Sequence, residues 1–233
     1  MKAPTRTPVS VAVIRRLQKA FQNHLSVNAT TAGQLLSGAS MADKAYELRC
    51  LVALLNELKR ADPRISFTLQ SGTEIRFRSK GGPIDRRRWP CVIMHRGSHP
   101  IAEIWTNTEF ETLSATNQNH TLTIPTYGDT HELDLILTRP NISDGYPKTR
   151  DLLIGVEAKH RPYNKSLLKE LLGVRREMAL RSRLTRHHLT WWHSAMLPCS
   201  PPSILIAYCG YASISDYDGP SGYFGVRMDH LPL

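Results

Sequence analysis

The succession of hydrophobic patterns along the 233 residues predicts an α/β protein, a central mixed β-sheet flanked by helices and preceded by an N-terminal helical extension. Apolar residues recur at helical spacing in two segments before residue 62. From 65 to 159 the pattern changes to short runs rich in β-branched residues. A further helical stretch around 167–178 then precedes one more buried run at 203–209. We divide the chain into an extension of residues 1–40 and one domain of residues 41–233, which is long enough to bury a sizeable core.

Residues 9–27 set Val11, Ile14, Phe21 and Leu25 near helical spacing, with Arg15, Arg16 and Lys19 on the flanks. Residues 28–39 are small and polar, a linker. Ser40 and Asp43 fit a capping box, and Leu48, Leu51, Val52, Leu55 and Leu58 form one apolar stripe until Asp62 and Pro63 end the helix. Strands are expected at 65–69, 74–78, 91–94, 101–106 and 131–138. Residues 141–150, rich in Asn, Asp, Gly and Pro, form a loop leading to a strand at 152–159. Leu167, Leu171, Val174 and Met178 mark the next helix, and 203–209 the last strand.

Thirty Lys and Arg against twenty Asp and Glu leave a net charge of +10, which points to a polyanionic partner. No apolar run approaches the roughly 20 residues needed to cross a bilayer, so no membrane is expected, and the N-terminal apolar segment is too short for a secretory signal. The first 42 residues contain no acid, a faint likeness to organelle transit peptides. Cys50, Cys91, Cys199 and Cys209 lack the spacing of a structural zinc site and read as reduced thiols of a cytoplasmic protein.

The chemistry concentrates in two of the expected strands. In residues 131–138 strict alternation puts Glu132 and Asp134 on one face and Leu133, Leu135 and Leu137 on the other. In residues 151–160 the same period puts Glu157 and Lys159 together at the polar end of an apolar strand, where two charges need a reason. If the strands are neighbours, Asp134, Glu157 and Lys159 converge. Paired carboxylates then call for a cation, and oxygen ligands without Cys or His favour Mg²⁺ or Mn²⁺ over zinc. Such a site suits phosphodiester hydrolysis, with Lys159 orienting or deprotonating the attacking water. The chain also holds a decoy, Glu57 and Lys59, inside a helix where residues two apart point about 200° from one another.

The arrangement closely resembles the PD-(D/E)XK nuclease superfamily, the restriction-endonuclease-like fold. An acid in one strand followed by Glu-x-Lys in the next matches Asp134 and Glu157-Ala158-Lys159, and a glutamate in the preceding helix matches Glu47. The resemblance spans residues 42–210. The literal Pro-Asp pair is missing, since Leu133 precedes Asp134, which leaves the choice between Asp134 and Glu132 open. The resemblance implies a Mg²⁺-dependent endonuclease (Mn²⁺ as the alternative) acting on DNA, with metal held by Asp134, Glu157 and the Ala158 carbonyl, and Glu47 assisting. It also implies a homo-oligomer, a dimer first, and a role in bacterial or phage defence, restriction or mobile-element processing. A non-cleaving nucleic-acid-binding or regulatory module on the same fold, or a ribonuclease, are the rival readings.

Positive charge is segregated from these acids. Residues 76–88 carry six basic residues against Asp85, and residues 160–193 carry eight against Glu170 and Glu177. Lys165, Lys169 and Arg176 follow one side of the helix after Lys159, with Gly173 between the last two, while Arg86, Arg87 and Arg88 form a basic turn. These six are the expected phosphate contacts. Trp191 and Trp192, after His187 and His188, read as core tryptophans or a stacking surface. His95, His99 and His193 read as loop residues.

Overall fold

A computed structural model describes residues 10–25, 41–70, 75–117, 125–126, 128–181 and 199–233. The linker at 28–39, the Ser40 cap, and the segment with Trp191, Trp192, His187, His188 and His193 lie outside the described residues.

The chain runs α1 (Val11–Leu25), α2 (Met41–Ala61), β1 (Ile65–Gln70), β2 (Cys91–Arg96), β3 (His99–Glu111), α3 (Leu113–Asn117), β4 (Thr130–Thr138), β5 (Leu152–Lys159), α4 (Lys165–Met178), β6 (Leu180–Arg181), β7 (Cys199–Ser200), β8 (Ile204–Cys209), α5 (Asp218–Tyr223) and β9 (Val226–His230). Among the described residues, seven strands form one sheet in the order β1-β2-β3-β4-β5-β8-β9, antiparallel from β1 to β5 and parallel from β5 through β9. The change of sense follows from the connections. A turn at Gly97, with φ 62°, joins β2 to β3, whereas β5 reaches β8 only by a crossover through α4. No helix among the described residues is long and apolar enough to cross a membrane.

Both faces of the sheet are covered. On one, Leu48, Leu51, Leu55 and Leu58 of α2 pack with Ile154, Val156 and Ile206, and Leu17 and Phe21 of α1 join the same cluster. The helix of the N-terminal extension is thus packed into the domain. On the other face Leu167, Leu171, Val174 and Met178 of α4 pack with Leu133, Ile136 and Leu205. Burial on two faces is why β5 and β8 read as continuous apolar runs. Arg175 ties α4 down by donating to Ser203 Oγ at 3.0 Å and to the Phe224 carbonyl at 3.3 Å. In the decoy pair, Glu57 is ion-paired with Arg227 of β9, and Lys59 donates to the Pro63 carbonyl at 2.7 Å.

Two expectations need correction, and two elements were not foreseen. Residues 75–78 are irregular instead of forming a strand: the Arg76 carbonyl accepts from a side chain, Thr106 Oγ1, at 2.7 Å. The parallel edge strand β9 and the short helix α5 had no counterpart in the sequence reading. Finally, Leu133, Leu135 and Leu137 are all buried but do not share a face: Leu133 packs with α4, Leu135 and Leu137 with α2. The cause is a skip in the β3–β4 ladder, which pairs Thr106 with Leu135 and Thr108 with Leu133 but leaves Asn107 and Asp134 between them unpaired in it. Asn107 has φ 42°, a left-handed conformation that breaks the two-residue period of a strand and that asparagine tolerates better than most residues.

The close fit of α4 to the sheet can be tested at Gly155. A Cβ there would lie 2.7 Å from Leu133 Cδ1 and 3.0 Å from Met178 Cε. Gly155→Val is expected to destabilise the fold by about 1–3 kcal/mol, the usual cost of overpacking a core, as read by chemical denaturation. Unchanged stability would contradict the packing described.

Candidate active site

Asp134 lies at a gap in one ladder and at the end of another. Towards β3 the pairing skips it. Towards β5 the ladder runs from Leu137 and Ile154 to Leu135 and Val156 and ends there. Beyond that point the Ala158 amide donates not to a β4 carbonyl but to Asp134 Oδ2, at 2.7 Å. A side chain of β4 is thereby fixed to the backbone between Glu157 and Lys159. Of the two acids considered for this strand, Asp134 is the one bonded to β5. Glu132 lines the same cleft but is turned to Gly81, where a Cβ would meet its carboxyl carbon at 2.7 Å.

Glu157 and Lys159 share the α4 face of β5, as their spacing predicts. Lys159 Nζ stands 2.8 Å from Glu157 Oε2 and 3.5 Å from Glu170 Oε1 of α4. Glu157 is 8% exposed. Asp134, Glu157 and Lys159 form one wall of a cleft of about 660 Å³, and Lys169, Gly173 and Arg176 of α4 face them across it. Asn164 caps α4, its Oδ1 accepting from the Leu167 amide at 3.1 Å, which starts the helix immediately after the β5 turn.

Glu47 approaches from α2 and is not part of the cleft wall. Its carboxylate is buried, held by Lys44 Nζ at 2.8 Å and by Asn107 Nδ2 at 3.1 Å. Burial and then the charge of Asp134 push the Glu47 carboxyl up to about 7, against the pull of Lys44. The same two causes raise Glu157. Asp134 therefore acts on a buried glutamate on each side. For Lys159 burial works downward, but Glu157, Asp134 and Glu170 together outweigh it and hold the ammonium above the ordinary lysine range. The site is short of positive charge.

The expected phosphate contacts divide. Lys165, Lys169 and Arg176 are exposed along α4. Arg87 and Arg88 are exposed as well, Arg88 reaching Asp85 at 3.4 Å. Arg86 is committed internally: it pairs with buried Glu103 at 2.7 Å and with Asp144 at 2.6 Å, and lies over the Trp105 ring at 5.2 Å. Sequence reasoning missed Lys44, Asn107 and Glu170. Only Asn107 left a signal, being a poor strand former in the middle of an otherwise β-rich run.

Comparison with protein-family models, with curated proteins and with solved structures finds no match to this chain. Among the described residues no three His, Cys, Asp or Glu side chains are gathered as a ready-made metal cage.

The Glu47 shift has a definite sign. The unfolded chain releases this proton near 4.5 and the folded one near 7, so the residue opposes folding increasingly as pH rises through that window, and fully above it. In chelating buffer, Glu47→Gln is expected to raise stability at pH 8 by on the order of 3 kcal/mol, with the gain disappearing towards pH 4.5. Thermal unfolding at the two pH values checks this, and an equal difference at both would contradict it.

Proposed function

We propose that this protein is a divalent-metal-dependent endonuclease hydrolysing DNA phosphodiester bonds on a restriction-endonuclease-like core. The observation that carries the reading is the hydrogen bond from the Ala158 amide to Asp134. It joins the strand acid to Glu157-Ala158-Lys159 in one cleft, with α4 as the opposite wall. A leading helix with Glu47, the antiparallel strands β3, β4 and β5, the crossover helix α4 and parallel β8 supply the frame.

The donor set fits a hard dication. All the candidate ligands are oxygens, and two of the carboxyls hold protons more tightly than usual because burial and Asp134 disfavour their ionisation. Magnesium keeps several waters and takes only one or two carboxylates from a protein, so it needs no complete cage. Asp134, Glu157 and the Ala158 carbonyl would hold Mg²⁺ or Mn²⁺, with Glu47 supporting from α2. Such an ion supplies Lewis-acid stabilisation of the charge that grows on the phosphoryl oxygens. Lys159, held against Glu157, donates to the attacking water and orients it towards phosphorus. Lys165, Lys169, Arg176, Arg87 and Arg88 neutralise phosphates along the strand, which makes binding fall as salt rises.

Purified protein is expected to cut plasmid or single-stranded DNA with Mg²⁺ or Mn²⁺ and not with chelator. Lys159→Ala should cut on the order of 10²-fold more slowly while still binding DNA, the loss usual when a reacting group is left misplaced. RNA run in parallel identifies the preferred polymer. Equal rates for wild type and Lys159→Ala would remove the amine from the chemistry, and no cutting of any nucleic acid by wild type would overturn the reading.

A further inference from the structure

Gly173 has no use inside the folded chain. It lies in the interior of α4, where glycine is, after proline, the poorest helix former. It is not among the positive-φ glycines, which are Gly97, Gly145 and Gly225. No close packing requires it either, because a Cβ there would meet nothing within 4 Å. Gly155 shows the contrast, since its missing Cβ is what lets α4 and the sheet meet. What Gly173 does is open the cleft: it leaves the exposed backbone of α4 bare on the wall facing Asp134, Glu157 and Lys159.

The charges around it sort by their partners. Glu177, on the same wall, accepts from the Ser114 amide at 3.0 Å and from Ser114 Oγ at 2.9 Å, and Glu170 faces Lys159. Lys169 and Arg176, one turn to either side of Gly173, are exposed, and among the described residues neither enters an ion pair. The acids of this wall are engaged by the protein, and its cations face the cleft. They are about 10 Å apart along the helix axis at 1.5 Å per residue, with the bare backbone between them.

We propose that Gly173 is the point where the sugar–phosphate backbone of the bound nucleic-acid strand runs against α4, with Lys169 and Arg176 taking phosphates on either side. The proposal rests on the nuclease reading for the polymer it names, and it adds the path of the strand. A side chain at 173 occupies that path.

The test uses Gly173→Ala and Gly173→Leu in the full chain, with thermal unfolding, cutting kinetics, and fluorescence anisotropy of labelled single-stranded and duplex oligonucleotides in a Lys159→Ala background. Because the position is helical and open, both variants are expected to keep or raise the melting temperature, by about 2–4 °C. Gly173→Leu should weaken binding and raise KM at least tenfold with kcat little changed, and Gly173→Ala should fall between it and the parent. Binding and cutting by Gly173→Leu equal to the parent's would overturn the proposal, as would a fall in melting temperature, which would reveal a packing role. If the parent binds nucleic acid without cutting and Gly173→Leu weakens that binding, the strand path stands and the nuclease reading falls. If the parent neither binds nor cuts, both fall.

Discussion

One hydrogen bond organises the candidate site, that from the Ala158 amide to Asp134 Oδ2. In an uninterrupted hairpin the amide would pair with a carbonyl of the neighbouring strand and the carboxylate would stand clear of the ladder. Here the β3–β4 ladder skips Asp134, the β4–β5 ladder ends just before it, and its side chain takes the place of the missing carbonyl. A charge-assisted bond to a backbone amide is stronger than a neutral one. It fixes the carboxylate relative to Glu157 and Lys159 through β5 itself, so the three groups do not depend on long, mobile side chains to find one another.

The skip that releases Asp134 is made on β3. Asn107 is left-handed, which exchanges the faces of β3 and β4 beyond it and turns Leu133 towards α4 while Leu135 stays with α2. The same residue donates its side-chain amide to Glu47. Asn107 thus breaks the ladder opposite Asp134 and also orients the glutamate that Asp134 perturbs. Strain of this kind persists only where surroundings enforce it, and both clusters flanking the skip are tightly buried.

Much of this was legible in the sequence. The stripe from Leu48 to Leu58 fixed α2, the apolar runs fixed β4, β5 and β8, and two-residue periodicity placed Glu157 and Lys159 on one face, because these patterns depend only on local geometry and burial. The exchange of faces at Asp134 was not legible, since alternation presumes an unbroken ladder and the break is made by a residue on another strand. Lys44 was hidden for a similar reason: one lysine among thirty basic residues acquires meaning only when α2 lies against β3. Strand β9, Val226–His230, was missed because polar Arg227, Asp229 and His230 disguise it, Arg227 being neutralised by Glu57 of α2 across the fold. Segment 75–78 erred in the other direction, Ile75 and Phe77 alternating with Arg76 and Arg78 as in a strand while the Arg76 carbonyl bonds to a side chain.

Charge in this protein is best understood by its partners and not by its sum. The net +10 suggests a uniformly cationic surface, yet Arg86, Arg175 and Arg227 are spent on carboxylates, carbonyls and a tyrosine hydroxyl within the fold. Among the cations that remain exposed, Lys165, Lys169 and Arg176 on α4 and Arg87 and Arg88 beyond β1 are the candidates for phosphate. Facing the α4 row is a wall where Asp134 raises the proton affinity of Glu157, and of Glu47 behind it, and where Lys159 stays protonated. Cations thus line one side of the cleft and closely set acids the other. On the proposed reading a dication would join the acids while phosphates meet the cations, so metal and strand would each favour binding of the other.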